Sequence, residues 1–409
     1  MIQEFLLLGA IILAGFFGSV LFERTKIPDA LLLLLLGLVI GPVMGIVDAS
    51  QFVGWAPFVG TLALIVVLLE AGFKLDLAEV ISSLPSAGVF SFAASVVAAL
   101  AAAGVLHYAF GWPVLHALFA GVIFSGYASN ILLPIVSRLS ASSGARMLMS
   151  LESVMNDVFN IVFAFILLGL MAGQGAIDYS QAVKDLASAF TTAIVAGFVA
   201  GVFWMKVLRT FQGKSLGYVV TLAVAFILYA FTEAVGGNGA IAALVFGLAL
   251  GNGPRLAEAF KWKGDYAVGE SLKGVQSAVS FFVNTFFFVY LGLLFELHAL
   301  NEQILLVAAG LIFALYAGRA IAVYALTRAN PSLKPDSRLL LWLVPRGLTA
   351  AVLAFLPANQ GIAIPQLADL AFIVILASNA FAGVASYAFE RSKKSEAVKP
   401  KAPKPRIVQ

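Results

Sequence analysis

The chain has 409 residues, of which 61% are apolar and only 11% are charged, with a formal net charge of +4 and a mean hydropathy of +1.00. Soluble domains are about 45–50% apolar and about 25% charged. This composition therefore excludes a water-soluble globule and predicts an integral membrane protein. The chain has no cysteine, which excludes disulfides and thiolate metal sites.

Apolar stretches of membrane-spanning length follow one another along the whole chain. A helix needs about 20 apolar residues to cross the bilayer core. Counting such stretches predicts thirteen spans, at residues 5–22, 30–47, 56–73, 86–107, 114–137, 150–172, 187–208, 216–234, 238–252, 276–295, 303–327, 338–356 and 366–389.

The basic residues lie almost entirely on one side of these predicted spans. Of the 25 Lys and Arg residues, 22 fall on one side, Lys184 alone falls on the other, and Arg319 and Arg346 fall within spans. Because cytoplasmic loops collect Lys and Arg, we expect an outside N-terminus and a cytoplasmic C-terminus, in a prokaryotic inner membrane. Residues 390–409 are predicted to form a disordered basic tail. Its expected partners are anionic lipids at the cytoplasmic face and not nucleic acid, and a regulatory partner stays open.

Thirteen spans divide into six, one and six, and the two sets of six have opposite topology. Inverted repeats with interrupted helices near the midplane are a common architecture of secondary transporters. The fifth member of each set carries an interruption signal, at residues 125–130 with Pro134 beyond and at residues 345–349. The predicted fold class is therefore an all-α membrane protein with two inverted six-helix repeats and interrupted crossing helices.

Five ionisable residues lie inside predicted spans. Each costs at least about 2.5–3.5 kcal/mol at bilayer depth, which makes each a functional hypothesis. The plain alternative is an ion pair that only holds helices together. The five residues are Glu70, Glu152, Asp157, Arg319 and Arg346.

The sixth span places its two carboxylates on different faces. At about 100° per residue, Asp157 shares one face with Ser153 and Asn160, whereas Glu152 points about 140° away, on the face of Asn156. We expect Glu152 to pair with Arg346 as a structural bridge while Asp157 faces a cavity. Neither buried arginine is excluded as a long-range partner of Asp157.

The same geometry suggests a cation site. A hard cation such as Na⁺ prefers oxygen ligands, which Asp157, the Ser153 hydroxyl, carbonyls freed at the interruption of span 5, and Glu70 can supply. A carboxylate that binds either a proton or a cation, never both, is the minimal machinery for exchange.

Several motifs carry a family resemblance in the expected order along the chain. The chain resembles the monovalent cation–proton antiporters, in the branch of the NhaP and NHE-type sodium/proton exchangers. The matching segments are Glu152-Ser153-Val154-Met155-Asn156-Asp157, Ile27-Pro28 leading to residues 36–42, Leu69-Glu70-Ala71-Gly72, residues 237–252, Arg319, and Pro345-Arg346-Gly347.

The resemblance implies a homodimer that works by an elevator-like cycle. Interface spans would occupy residues 1–85 and 173–300, and the transport core residues 86–172 and 301–389. It implies electroneutral one-for-one exchange without a cofactor, the transported Na⁺ or K⁺ and the proton being the cargo.

The resemblance also assigns roles to site residues. Asp157 would bind the Na⁺ or K⁺ ion and the proton. Its further ligands would be Ser153, Glu70 and the backbone carbonyl of Tyr127. Asn156 would hold the unwound part of span 5, with Ser129 and Asn130 as support, and Glu152–Arg346 would be a structural bridge.

One departure from the family pattern concerns the interruption of span 5. Most members of the family that the chain resembles carry Thr-Asp-Pro there, whereas this chain has Tyr127, Ala128 and Ser129. The missing carboxylate changes the electrostatics beside the half-helix ends and leaves both Na⁺ and K⁺ as candidate substrates.

Two other classes of function require residues in different arrangements. A carrier of the same fold for an organic anion needs an unpaired cation at the crossing, which Arg346 supplies only if Glu152 does not pair with it. An intramembrane protease needs paired aspartates, a Ser–His pair or His-Glu-x-x-His; none occurs in apposed predicted spans, so we expect no enzyme.

Overall fold

The protein is seen in a computed structural model that describes residues 28–47, 56–74, 89–136, 139–172, 179–209, 216–297 (except 265 and 268) and 300–398, with a few positions between 9 and 20. These residues form fifteen α-helices: α1 Asp29–Leu38, α2 Ala56–Lys74, α3 Val89–Gly104, α4 Val114–Ser125, α5 Ser129–Val136, α6 Ser143–Ala172, α7 Tyr179–Arg209, α8 Leu216–Ala234, α9 Gly239–Gly251, α10 Gly253–Ala259, α11 Glu270–Leu293, α12 Glu302–Ala329, α13 Ser337–Trp342, α14 Leu348–Asn359 and α15 Leu367–Val398. Short π-helical turns extend α1 to Val43 and α3 to Ala109.

The helices follow the predicted apolar stretches. The first stretch, 5–22, lies largely outside the described residues, and each of the other twelve overlaps a helix or a pair of helices. Six helices of the described part are long and apolar enough to cross a membrane, or seven spans if α9 and α10, bent by 75°, count as one. The protein is thus all-helical with six to seven clear membrane-span candidates, and further apolar helices of 10–17 residues lie among them.

The prediction of a disordered tail is wrong for its first part. Helix α15 continues to Val398, so residues 390–398 are helical, while residues 399–409 lie outside the described part. Glu390 explains how the extension is anchored, because its carboxylate accepts hydrogen bonds from the backbone N–H and the hydroxyl of Ser140. The carboxylate of Glu390 thus ties α15, at the start of its extension, to the segment between α5 and α6.

Glycines set the closest helix contacts. A Cβ atom on Gly72 of α2 would overlap the carbonyl oxygen of Leu244, and Gly247 of α9 faces the same contact from the other side. Gly37 of α1 and Gly292 of α11 form an equivalent pair. Small residues let membrane helices approach until their backbones touch, so α2 with α9 and α1 with α11 are tightly joined pairs.

A second group of helices surrounds the middle of α6. A Cβ atom on Gly318 of α12 would overlap Ala98 of α3, and one on Gly121 of α4 would overlap the carbonyl oxygen of Ala99. Helix α3 is therefore packed closely on both α4 and α12. This packing brings the buried charges of α6 and α12 to the same depth.

Candidate functional site

Two helix interruptions meet at the centre of the molecule. The first separates α4 from α5 at residues 126–128, and the second separates α13 from α14 at residues 343–347. The backbone N–H of Ala128 donates to the carbonyl of Pro345 at 2.8 Å. Both predicted interruptions are confirmed, and the hydrogen bond shows that the two broken segments touch.

Glu152 forms a buried ion pair, but with a different arginine from the predicted one. Its side chain is fully buried, and both of its oxygens accept from the guanidinium of Arg319, with a distance of 3.0 Å between Nη2 and Oε2. The predicted bridge to Arg346 is wrong. The physical reason is packing: α12 lies against α3 beside α6, whereas Arg346 sits in the second interruption, where free carbonyls accept from it instead.

Arg346 uses its guanidinium to bind the ends of broken helices. Its Nε donates to the carbonyl of Phe124 at 2.6 Å and its Nη1 to that of Val344 at 3.3 Å. Arg319 acts similarly through Nε, which donates to the carbonyl of Leu340 at 3.0 Å. Carbonyls at helix C-terminal ends lack helical partners and carry partial negative charge. Each arginine therefore neutralises the C-terminal end of one half-helix.

In the described part of the chain, Asn160, and not Asn156, contacts the first interruption. The Oδ1 atom of Asn156 accepts from the hydroxyls of Ser91 and Ser95 on α3, the first at 3.1 Å. The side chain at the first interruption is Asn160, whose amide would be overlapped by a Cβ atom on Gly126 and whose Oδ1 accepts from Ser125 at 3.3 Å. The support that was predicted for Asn156 is thus supplied, among the described contacts, by the asparagine one turn later.

A small cavity lies between these groups. About 10 Å³ is open to the centre of a water-sized sphere, which is near the lower limit for one water molecule. The cavity is lined by groups from α3, α4, α6, α12 and both interruptions, among them Ser95, Ser125, Tyr127, Glu152, Asn156, Arg319 and Arg346.

Tyr127 contributes a side chain where the sequence predicted only a backbone carbonyl. The residue is 4% exposed, and the Arg319 guanidinium carbon lies 5.2 Å from the centre of its ring. Its hydroxyl lies close enough to Glu152 and Arg319 to interact with both, but it makes no hydrogen bond of ordinary geometry within the part of the chain that the structure describes. The large phenol thus occupies the place beside the Glu152–Arg319 pair.

Only some of the other predicted ion ligands are described near the cavity. Asp157 lies on α6, three residues before Asn160, but its side chain is outside the described residues, as are the side chains of Ser129 and Asn130. The Ser153 hydroxyl donates to the carbonyl of Ser150 at 3.0 Å within α6. Glu70 does not line the cavity; it pairs with Lys74 one turn later on α2.

Four polar residues of the site were missed at the sequence level. Ser91 and Ser95 bind Asn156, and Ser378 and Asn379 on α15 bind the backbone of the second interruption. Their signal was a polar side chain in an otherwise apolar span. Ser91 and Ser95 are also four residues apart, which puts both hydroxyls on one face of α3.

Comparison with known proteins places the chain among cation–proton antiporters. The profile described as "Sodium/hydrogen exchanger, transmembrane" matches residues 9–386. Na(+)/H(+) antiporter 1 of Methanocaldococcus jannaschii is 28% identical over 379 residues, covering 88% of this chain and 84% of the relative. K(+)/H(+) antiporter NhaP of Alkalimonas amylolytica is 23% identical over 395 residues, and the match covers 92% of this chain and 64% of that relative.

The fold is also shared with a solved structure. The sodium proton antiporter MjNhaP1 from Methanocaldococcus jannaschii superposes with a TM-score of 0.73 at 22% identity, over 94% of this chain and 98% of the other. These relatives are transporters, and none of them supports an organic-anion carrier. Since the family profile covers nearly the whole chain, this protein belongs to the sodium/hydrogen exchanger family.

Proposed function

We propose that the protein is a secondary transporter that exchanges one monovalent cation, Na⁺ or K⁺, for one proton. The observation that carries the proposal is the position of the run 152–157 on α6. Glu152 and Asn156 of this run line the same cavity as Tyr127 and Arg346 of the two interruptions, which are joined by the hydrogen bond from the Ala128 N–H to the Pro345 carbonyl. Broken helices that leave backbone groups near the midplane are how secondary transporters form ion sites.

In this proposal Asp157 is the carboxylate that binds the cation and the proton in turn. It lies three residues before Asn160, and Asn160 contacts the first interruption. Ser153 and the backbone carbonyl of Tyr127 are the next oxygen ligands. Glu70 is a weaker candidate, because its carboxylate is already paired with Lys74.

The Glu152–Arg319 pair supports the site without taking part in exchange. Both oxygens of Glu152 are engaged by one guanidinium, so this carboxylate has no free oxygen pair to offer a cation. The two carboxylates of α6 therefore divide their roles as their helical faces predict, although the bridging arginine is a different one.

The choice between Na⁺ and K⁺ depends on the interruption of span 5. Ala128 takes the position at which the family pattern usually has an aspartate, as the resemblance implies, and Tyr127 fills space beside the ion pair. Curated relatives include antiporters named for Na⁺ and for K⁺. We propose that one of these two ions is the substrate, and the liposome experiment described below decides between them.

The proposed architecture has thirteen spans in two inverted repeats, arranged as a homodimer in a prokaryotic inner membrane. The N-terminus is outside, the C-terminus is cytoplasmic, and anionic lipids face the basic loops. The glycine contacts favour a division into two moving parts. Gly72 with Gly247 and Gly37 with Gly292 join helices assigned to the interface, and Gly318 joins helices assigned to the transport core.

The test uses purified protein in liposomes with a pH-sensitive dye inside. Li⁺, Na⁺, K⁺ and Rb⁺ are added separately, and only the transported ion should dissipate an imposed pH gradient. Asp157→Asn and Asp157→Ala should abolish this flux, while Ser386→Ala, a buried change far along α15, should not. Cation-dependent proton flux that persists in Asp157→Ala liposomes would refute the mechanism. Rates that change with an imposed membrane potential would refute the electroneutral stoichiometry alone.

A further inference from the structure

The second interruption is held by two consecutive side chains of the last helix. The backbone N–H of Arg346 donates to the hydroxyl of Ser378 at 3.1 Å. The backbone carbonyl of Arg346 accepts from Nδ2 of Asn379 at 2.8 Å. Because the chain is not helical at 343–347, these side chains supply partners that a helix would otherwise provide.

Both side chains are themselves fixed to α15. The Ser378 hydroxyl donates to the carbonyl of Ile375 at 3.1 Å, and Nδ2 of Asn379 also donates to that carbonyl, at 2.8 Å. Ser378 is 2% exposed and Asn379 is fully buried. A side chain locked by its own helix and by packing holds its second partner in one geometry.

Asn379 is costly for the protein to keep. Its Oδ1 is buried and has no partner among the described residues, and an unpaired buried acceptor destabilises the fold. An apolar side chain of similar volume would pack in the same space without this cost. Such a side chain could not make the hydrogen bonds that Nδ2 of Asn379 donates to the carbonyls of Arg346 and Ile375.

Holding the backbone of Arg346 also holds the first interruption. The Arg346 guanidinium donates to the carbonyl of Phe124 at 2.6 Å. One residue before Arg346, the Pro345 carbonyl accepts from the N–H of Ala128 at 2.8 Å. Of these two connections between the broken helices, one begins at Arg346, whose backbone α15 fixes, and the other at the residue before it.

We propose that Ser378 and Asn379, here named the Arg346 clamp, are positioning residues that pre-organise the crossing for cation binding. The inference rests on the proposed cation–proton exchange. With the clamp intact, the two interruptions are ordered before the ion arrives. Without it, part of the binding free energy of the ion is used to order them, so affinity falls while the maximal rate is kept.

The kinetic test compares apparent KM and maximal rate for the transported cation in liposomes, per amount of folded protein. Ser378→Ala and Asn379→Leu should each raise the apparent KM about 5-fold, the loss expected for one hydrogen bond, with the maximal rate retained. Ser378→Thr keeps the hydroxyl and should restore the wild-type KM. Ser386→Ala is the matched control, since Ser386 is equally buried on the same helix and donates only to the carbonyl of Ala382 within it.

A second measurement is independent of transport. Hydrogen exchange in detergent should become about 10-fold faster for the segment 343–347 in Ser378→Ala, because the Arg346 amide loses its acceptor, and should not change in Ser386→Ala. If Asn379→Leu does not fold, Ser378→Ala decides, as it removes a single oxygen atom.

The outcomes separate the two proposals. Unchanged exchange at 343–347, or a lower melting temperature with an unchanged KM, overturns the clamp as a positioning device while the proposed function stands. A wild-type protein that moves no cation against protons overturns the proposed function, and with it the effect of the clamp on affinity. Faster exchange together with a raised KM supports both.

Discussion

The ion pair between Glu152 and Arg319 makes the sharpest prediction, because the structure pairs Glu152 with a different arginine from the one predicted from the sequence. Glu152 is fully buried and both of its oxygens are bonded to Arg319. Replacing Arg319 by Met leaves this carboxylate without its partner in the interior. Removing one partner of a buried pair costs about 3–5 kcal/mol.

Replacing Arg346 by Met should have a smaller effect. That change loses the hydrogen bonds from Nε to Phe124 and from Nη1 to Val344, but it also removes a buried charge, so about 1–3 kcal/mol is expected. For Arg319→Met, a loss of about 4 kcal/mol can be converted to a melting temperature with an unfolding entropy of about 2.1 cal/mol/K per residue. Over 409 residues, this loss lowers the melting temperature by about 5 °C.

The assay is thermal unfolding in detergent, followed by the fluorescence of the five tryptophans. Each arginine variant is measured alone and combined with Glu152→Gln. The double-mutant cycle should give a coupling of about 2 kcal/mol or more for Glu152 with Arg319, and below about 0.5 kcal/mol for Glu152 with Arg346. A larger coupling to Arg346 would refute the assignment and restore the sequence-based pairing.

Three further predictions concern packing and capping. Gly247→Ala should reduce folded yield and the free energy of unfolding by about 1–3 kcal/mol, because the added methyl group pushes α9 away from α2. Gly60→Ala on α2, which has open space around it, should be neutral or stabilising. Equal losses of stability in the two variants would refute the close contact between α2 and α9. Tyr127→Phe should change the free energy of unfolding by less than about 1 kcal/mol, since the buried hydroxyl makes no hydrogen bond of ordinary geometry in the described part. A larger loss would show that the hydroxyl bonds to the Glu152–Arg319 pair. Asn238→Ala should cost about 1 kcal/mol by removing the acceptor for the Ile241 N–H at the start of α9, and Asn238→Asp should not.

Local patterns predicted the helices well for identifiable reasons. An apolar stretch of bilayer length must satisfy its own backbone and therefore becomes a helix, so every described helix except the short α10 overlaps a predicted stretch without tertiary information. Gly and Pro at residues 126 and 345 predicted the interruptions because they weaken a helix at any depth. The prediction that the tail is disordered was wrong for residues 390–398, because it was based on composition. Composition does not show that the Glu390 carboxylate bonds to Ser140.

The partners across helices could not be read in this way. Arg319 lies 167 residues from Glu152 and Arg346 lies 194 residues away, so neither spacing nor helical phase selects between them. The choice is made by the packing of α12 on α3, which depends on Gly318 meeting Ala98. The same holds for Asn156 and Asn160: their faces on α6 follow from the helical repeat, but which face meets α3 and which meets the interruption depends on how the helices assemble.

The sequence thus settles the membrane class, the helices, the interruptions and the family, because each is written in residues that are close together or in motifs along the chain. Only the assembled bundle decides that Glu152 binds Arg319, that Arg346 binds the ends of broken helices, and that Ser378 and Asn379 hold its backbone. Those contacts join residues that are far apart in the chain, and their energies depend on which side chains the close packing of the helices leaves within hydrogen-bonding distance.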